Sequence, residues 1–324
     1  MARVRSFVVR FKRRRFELVA AIAVPLVVGL WGIAIVARLD AAAPRSCVTA
    51  SGLDEAATAG PCLGPMRAWW GLMTAEGDKF MAAMALLPFI VGLLAAGPIV
   101  ARECEERTAQ TAWWLYPSRR RWLIAELGML LAVVPGVTLA AVAASPLAEL
   151  RVAAGLPGAS DVGLNGPLVL VRTFAGLGIG LLAGALVRRV LPGILFAALV
   201  SWALVFGVGW ARDQWVATLP PVVLAEGERG EVTAWEWRSP DGEALSDAEA
   251  MGLVPEAVAR LDAGQPQAVH SMEWLAGRGF RLVAVGVPEG TLYGWALYEG
   301  VLFGLAGFVA FGVSFAIVER IRPR

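Results

Sequence analysis

The chain has 324 residues, 57% of them hydrophobic, and a mean hydropathy of +0.63, which is too apolar for a soluble globular protein of this length. One histidine and three cysteines come close to excluding a His/Cys metal cluster. No GxxxxGK[ST], GxSxG, HExxH or CxxC occurs, so the chain carries neither a P-loop for ATP nor a familiar hydrolase, zinc-protease or redox motif. No cofactor or metal is expected here, and the chemistry, if any, belongs to another chain.

The first fifteen residues, MARVRSFVVRFKRRR, place Val4, Phe7, Val8 and Phe11 at i, i+3, i+4 and i+7, with basic residues at most of the other positions. That spacing predicts an interfacial amphipathic helix over 1–15; the simpler alternative is a positive topology signal without further role. Six apolar runs follow, at 16–36, 80–100, 123–144, 167–187, 191–210 and 292–318, each near the ~20 residues a helix needs to cross a bilayer. The first is too long for the core of a signal peptide and no small-x-small site closes it, so a retained helix is expected. Pro25, Pro88 and Pro135 interrupt spans, as membrane helices tolerate. Gly176, Gly178, Gly180 and Gly184 provide small residues for close helix packing in the fourth span.

Basic residues predict the orientation. With the N-terminus inside, the four inner segments hold 17 Lys or Arg in 44 residues, against 11 in 144 for the three outer ones, which also hold 20 acidic residues. Both termini are then cytoplasmic. Cys47 and Cys62 fall together in the first outer loop and could close a disulfide ring of about 15 residues worth ~3 kcal/mol, or remain two unpaired small residues. Cys104 falls inside. The last outer segment, 211–291, reads as a small folded cap: Ser246 with Glu249 three residues on looks like a capping box, residues 281–287 alternate as a strand, and Trp215, Trp235, Trp237 and Trp274 supply apolar mass. An insertion without a role in the protein's task is the alternative. His270, alone in that segment, reads as a surface residue.

The segment 101–122, ARECEERTAQTAWWLYPSRRRW, is dense in charge and tryptophan for a connecting loop. Glu103, Glu105 and Glu106 stand among five arginines. A membrane-surface hairpin, with Trp113, Trp114 and Trp122 at headgroup level, is one explanation; a docking surface for a cytoplasmic partner is the sharper one. Two charges lie inside apolar runs, where burial costs at least ~2.5 kcal/mol. Arg172 and Glu299 sit about five and seven residues inside the outer ends of the fourth and sixth spans, roughly 8–11 Å deep at ~1.5 Å per residue. Matched depth makes them candidates for an interhelical ion pair, with separate snorkelling to the headgroups as the alternative. Glu17 and Glu126, near inner ends, read as surface ion-pair partners of nearby arginines.

The run Arg102-Glu103-Cys104-Glu105-Glu106-Arg107-Thr108, with Gln110-Thr111-Ala112-Trp113, Pro117-Ser118-Arg119 and Arg121-Trp122, resembles the loop between the second and third helices of ABC-2 type transporter permeases, closest to actinobacterial members. The family pattern is approximately REhExGT, an AW pair, then SR-x-RW, and Arg107 stands where glycine is usual. Trp295 and Tyr298-Glu299 are similar to the start of the family's last helix. The resemblance implies an all-α polytopic permease subunit with six transmembrane helices, working as a homodimer or heterodimer in the bacterial cytoplasmic membrane; the segment 211–291 is then a small extracellular α/β cap between the fifth and sixth helices. It implies a separate ABC ATPase subunit that holds ATP and Mg, docking on Arg102, Glu103, Glu105, Glu106, Thr108, Trp113, Arg119 and Trp122. Export of an amphipathic or hydrophobic small molecule or peptide is then expected, with no nucleic-acid partner. The rival readings are a non-transporting sensor or assembly factor and, less economically, a secondary transporter, which would show midplane charges and broken repeated helices.

Overall fold

The computed structural model describes residues 15–43, 63–108, 113, 116–130, 134–153, 167–224, 230–262 and 269–321. The amphipathic stretch 1–14 and the cysteine pair Cys47 and Cys62 lie outside the described residues. Helix α1 (Arg15–Ala42) is followed by α2 (Leu63–Leu72), which passes through a widened π-helical turn at Met73–Gly77 into α3 (Asp78–Glu105). Then come α4 (Arg119–Leu130), α5 (Val134–Ala153), α6 (Pro167–Val187) and α7 (Val190–Val216). After α7 the chain forms β1 (Val222–Val223), β2 (Gly230–Arg238), β3 (Ala244–Leu245), the short helices α8 (Asp247–Gly252) and α9 (Glu256–Ala259), α10 (Val269–Ala276) and β4 (Arg281–Pro288). Strand β4 runs directly into the last helix, α11 (Glu289–Arg320).

Five of the described helical runs are long and apolar enough to cross a membrane: Val19–Ala42, Ala68–Glu105, Leu168–Val187, Val190–Val216 and Gly290–Arg320. Of the expected span at 123–144, residues 131–133 lie outside the described residues; those described belong to α4 and α5, and α5 holds a shorter apolar helix, Val134–Leu147. Several helices outrun their apolar cores. The run Ala68–Glu105 has 38 residues, about 57 Å at 1.5 Å per residue, so it extends beyond a ~30 Å hydrocarbon layer. Near its start Glu76 pairs with Arg38 of α1 at 2.6 Å.

Helix α6 is the centre of the bundle, packed most extensively against α3 and α11. Glycines permit this by letting backbones touch. A Cβ on Gly180 would meet the carbonyl oxygen of Gly92 at 2.7 Å, and Gly92 and Gly176, like Gly184 and Gly97, are in backbone contact. Gly178 points to the opposite neighbour, where a Cβ would meet Gly307 O of α11 at 2.8 Å. The four glycines therefore serve two faces rather than one: Gly176, Gly180 and Gly184 receive α3, while Gly178 receives α11. By contrast, α7 and α11 leave broad apolar surfaces uncovered, including Leu195, Leu199, Phe206, Leu305 and Phe308, as lipid-facing helices do.

The segment between α7 and α11 is an antiparallel sheet in the order β1-β4-β2-β3, with helices against it. It has its own apolar core of Trp237, Ala250, Val254 and Leu275. The capping box at Ser246 is formed: Ser246 Oγ accepts from Glu249 N at 3.3 Å, and the Glu249 carboxylate accepts from Ser246 N at 2.8 Å. These bonds from the Ser246 backbone and hydroxyl hold the Glu249 carboxyl below its ordinary pKa. His270 is not a lone surface group. Its Nδ1 lies 2.9 Å from Asp262 Oδ1, which also accepts from His270 N at 3.0 Å, while Asp262 Oδ2 accepts from Ser271 N and Oγ at 2.9 and 2.6 Å. Asp262 thus caps α10 from outside it, supplying the acceptor that the first turn of a helix lacks. Burial raises the Asp262 pKa, but the bonds from Ser271 and His270 outweigh it and hold the carboxyl well below the usual range.

Candidate functional site

The candidate site is the turn after α3 and the ends of the helices gathered around it. Helix α3 stops through backbone geometry. Thr108 N donates to Glu103 O at 3.0 Å, Arg107 N donates to Cys104 O at 3.3 Å, and Arg107 has φ of 57°. This is a Schellman closure, in which the residue just past the helix adopts the left-handed conformation. A non-glycine residue there costs about 1–2 kcal/mol. Arg188, ending α6, has the same φ of 57° and closes that helix through Arg188 N to Gly184 O at 3.0 Å. Among the described residues these two arginines are the non-glycine positions with positive φ.

The three glutamates are all used within the chain. Glu103 is 4% exposed and accepts from Thr108 Oγ1 at 2.6 Å, bracing the closure from below. Glu105 Oε2 accepts from Val190 N at 2.8 Å, so a side chain of α3 caps the first turn of α7. Glu106 Oε1 accepts from Arg102 Nε at 2.7 Å.

The returning arm is equally engaged. Ser118 N-caps α4, its Oγ accepting from Arg121 N at 3.2 Å. From the next residue, Arg119 Nη1 donates to three carbonyls at the end of α11: Val318 at 3.3 Å, Glu319 at 2.8 Å and Ile321 at 2.6 Å. A guanidinium on unpaired carbonyls at a helix C-terminus is favoured by both hydrogen bonding and the helix dipole. Its Cζ lies 4.5 Å from the Trp113 ring centre, a cation–π contact. Trp113 and Trp122 are buried and meet edge to face, centroids 6.2 Å apart. They are therefore core residues of the junction, not the headgroup anchors that a surface hairpin would require; Trp114 lies outside the described residues. Glu126 is likewise buried rather than a surface group, and nothing is described of the Glu17 side chain.

Arg172 and Glu299 come together between α6 and α11. Arg172 Nε donates to Glu299 Oε1 at 2.9 Å, and Nη2 reaches the same oxygen. Both residues are buried, and the Arg172 guanidinium lies 5.6 Å from the Phe303 ring centre. The pair sits away from the α3 turn, since the end of α6 next to that turn is Val187 and Arg172 is fifteen positions earlier. Next to Glu299, Trp295 stacks on Trp215 of α7 at 5.6 Å and packs against Tyr298.

Residues 17–212 match the protein-family model described as ABC-2 membrane transporter related. The matched region is more than half of the chain and contains the whole α3–α4 turn. The chain belongs to this family. No curated protein and no solved structure matches it. An ABC-2 permease with five described apolar helices of membrane-spanning length is a multi-pass membrane protein and a transporter's membrane subunit. The capping roles of Glu105 and Arg119 in this permease had no sequence signal, because each acts on backbone far away in the chain. Asp262 had only the weak signal of an acidic residue preceding a helix.

Proposed function

We propose that this chain is the membrane-spanning half of a bacterial ABC exporter. It has six spans, both termini are cytoplasmic and the α/β segment lies outside. Two permease chains pair in the cytoplasmic membrane, identical or related, and separate ATPase subunits supply ATP hydrolysis with Mg. The substrate is amphipathic or hydrophobic, a drug-like, peptide or lipid-like compound, because the described spans offer few polar groups to a sugar or an ion. The observation that carries the reading is the junction after α3. In a chain of this family, one short turn is tied to the start of α7 by Glu105 and to the end of α11 by Arg119. A partner that displaces this turn does work on three membrane helices at once, and ATP-driven motion of the partner can thereby shift the population of inward and outward arrangements.

The test is purification of the tagged protein in mild detergent, with mass spectrometry of its companions. A P-loop ATPase in roughly equal amount, whose hydrolysis rises in the complex, supports the reading. A folded protein that retains no ATPase under several detergents and nucleotide states overturns it. A sensor or assembly role is the second reading, favoured by the separate apolar core of the α/β segment; retention of an outer-surface protein or ligand in place of an ATPase would select it.

A further inference from the structure

Two arginines at the ends of adjacent helices share one backbone conformation. Arg107 follows α3 and Arg188 follows α6, each with a φ of 57°. Glycine would occupy either position without strain, so each arginine is held at a cost in stability. The two turns are fastened together. Gly97 of α3 touches Gly184 of α6 backbone to backbone, and Glu105 Oε2 accepts from Val190 N at 2.8 Å. That bond lies two residues before Arg107 and two residues after Arg188. Both arginines are exposed, as are Arg189 and, on α4, Arg121; α4 itself touches α3. Among the described residues, none of these four guanidiniums has an ion-pair or hydrogen-bond partner. The carboxylates nearby are engaged elsewhere: Glu105 on Val190 N, Glu106 on Arg102, and Glu319 with Arg120 at 3.6 Å.

The surface adjoining this basic edge is apolar. Two residues, Arg188 and Arg189, separate α6 from α7, so both stand directly at the ends of spans, at the level of lipid headgroups. From Leu191 an exposed stripe runs along α7 through Leu195, Leu199, Trp202 and Phe206. It covers fifteen positions, or about 22 Å at 1.5 Å per residue, more than the ~15 Å that the chains of one leaflet fill. Guanidiniums at the head of an apolar track fit a molecule with an acidic head and long hydrocarbon chains. We propose that this edge is a binding site for an anionic phospholipid. Arg107 and Arg188 hold the headgroup phosphate, Arg189 and Arg121 flank it, and the acyl chains lie along α7. Planar guanidiniums pair with phosphate oxygens in the bidentate geometry that such a site needs. A soluble acidic partner would use the arginines and leave the track without a role, and a zwitterionic lipid would leave the positive charges unmatched. The site requires that α6 and α7 span the membrane, and no ATPase partner.

The purified chain in mild detergent is offered equal amounts of phosphatidylglycerol and phosphatidylcholine. Native mass spectrometry reads the lipid retained, and thermal unfolding is followed beside it. The parent is expected to prefer phosphatidylglycerol by about tenfold or more, the scale that two arginines provide at an anionic headgroup. R107G/R188G removes both charges and relieves both backbones. It should unfold at a higher temperature than the parent in detergent alone, yet hold the two lipids within about twofold of each other. R107N/R188N, neutral and also tolerant of the left-handed conformation, should lose the preference in the same way. R260Q, in the α/β segment, should keep it. Absence of a preference in the parent overturns the site, as does a full preference in both neutral variants. Inorganic phosphate that protects the parent from unfolding as fully as phosphatidylglycerol does would assign the arginines to a free phosphate and overturn the lipid. Loss of a co-purified ATPase from the neutral variants, with the lipid preference intact, would assign them to a protein surface and overturn it equally.

Discussion

Replacing Glu299 with glutamine should be among the most damaging single changes in the spans, and more damaging than replacing its partner. Arg172 and Glu299 are both under 10% exposed, and the Nε–Oε1 distance is 2.9 Å. Removing one member of a buried pair costs about 3–5 kcal/mol, because the other charge is left uncompensated. The two residues differ in how they escape. After Arg172→Gln, the carboxyl can take up a proton and become neutral; after Glu299→Gln, the guanidinium cannot shed its charge. Glu299→Gln should therefore fall near ~4 kcal/mol and Arg172→Gln nearer ~2 kcal/mol. The double variant leaves two neutral amides able to bond each other and should cost only ~1–2 kcal/mol. The assay is unfolding in detergent, by temperature or by SDS titration, followed through tryptophan fluorescence. A coupling of several kcal/mol is expected. Single effects that add to the double within ~0.5 kcal/mol would refute the pairing argument, because independent snorkelling predicts additivity.

Three further outcomes follow from the packing and capping contacts. Gly180→Ala sets a methyl against the Gly92 carbonyl, a backbone atom that cannot rotate away, and should destabilise by about 1–3 kcal/mol in thermal unfolding; Gly209→Ala in α7, with nothing within 4 Å, should be neutral or stabilising by up to ~1 kcal/mol. Equal effects at the two sites would show that backbone contact is not what the glycines provide. Arg119→Ala removes the donor to three carbonyls of α11, costs about 1–3 kcal/mol and should speed amide exchange across 317–321; unchanged exchange there would mean that the helix end does not need its cap. Asp262→Asn should weaken the α/β segment by about 1–2 kcal/mol at neutral pH, as loss of an N-cap does. The sign of the pH effect follows from a carboxyl whose folded pKa lies below its unfolded value of about 3.9. Its contribution is fully present above that value and is lost as pH falls through the folded pKa, so the gap between parent and variant should begin to narrow on acidification below about pH 4. A gap as wide at pH 2–3 as at neutral pH would remove Asp262 from the role of charged cap.

What could be read in advance was what local physics determines. An apolar run of about 20 residues has few soluble destinies, so α1, α3, α6, α7 and α11 were visible from composition alone. The Ser246–Glu249 box was visible because its partners are three residues apart. Depth could also be counted along a helix, which put Arg172 and Glu299 at one level without any contact information. The ends of the helices were not visible in the same way. Glu105 acts on Val190, 85 residues away, and Arg119 on Ile321, 202 residues away, and both receptors are backbone atoms that carry no residue signature. Composition also cannot distinguish a tryptophan at the headgroup level from one inside a junction. Trp113 and Trp122 were open to either reading until their mutual contact and burial were seen.

The junction and the buried ion pair bear on the same moving part. Helices α3 and α6 touch backbone to backbone at Gly92–Gly176 and at Gly97–Gly184, eight residues apart on α6, or about 12 Å along its axis. Two rods in contact over that length without intervening side chains do not slide easily, because each carbonyl sits in the space where the other helix has no Cβ. They form a single unit that ends in the α3 turn. Helix α11 joins this unit by different means: a close approach at Gly178–Gly307, the Arg172–Glu299 pair, and Arg119 of the loop arm at its far end. The last two are hydrogen-bonded contacts between discrete groups, which can exchange partners, whereas a backbone groove can only separate. Load applied at the turn therefore reaches α11 through the Arg119 bonds and is resisted at the other end by Arg172 and Glu299. Motion of α11 against the α3–α6 unit has to break one of these two contacts first. Of the two, the Arg119 end is the more solvent-accessible and the cheaper to break, so rearrangement should begin at the α3 turn and reach the ion pair last.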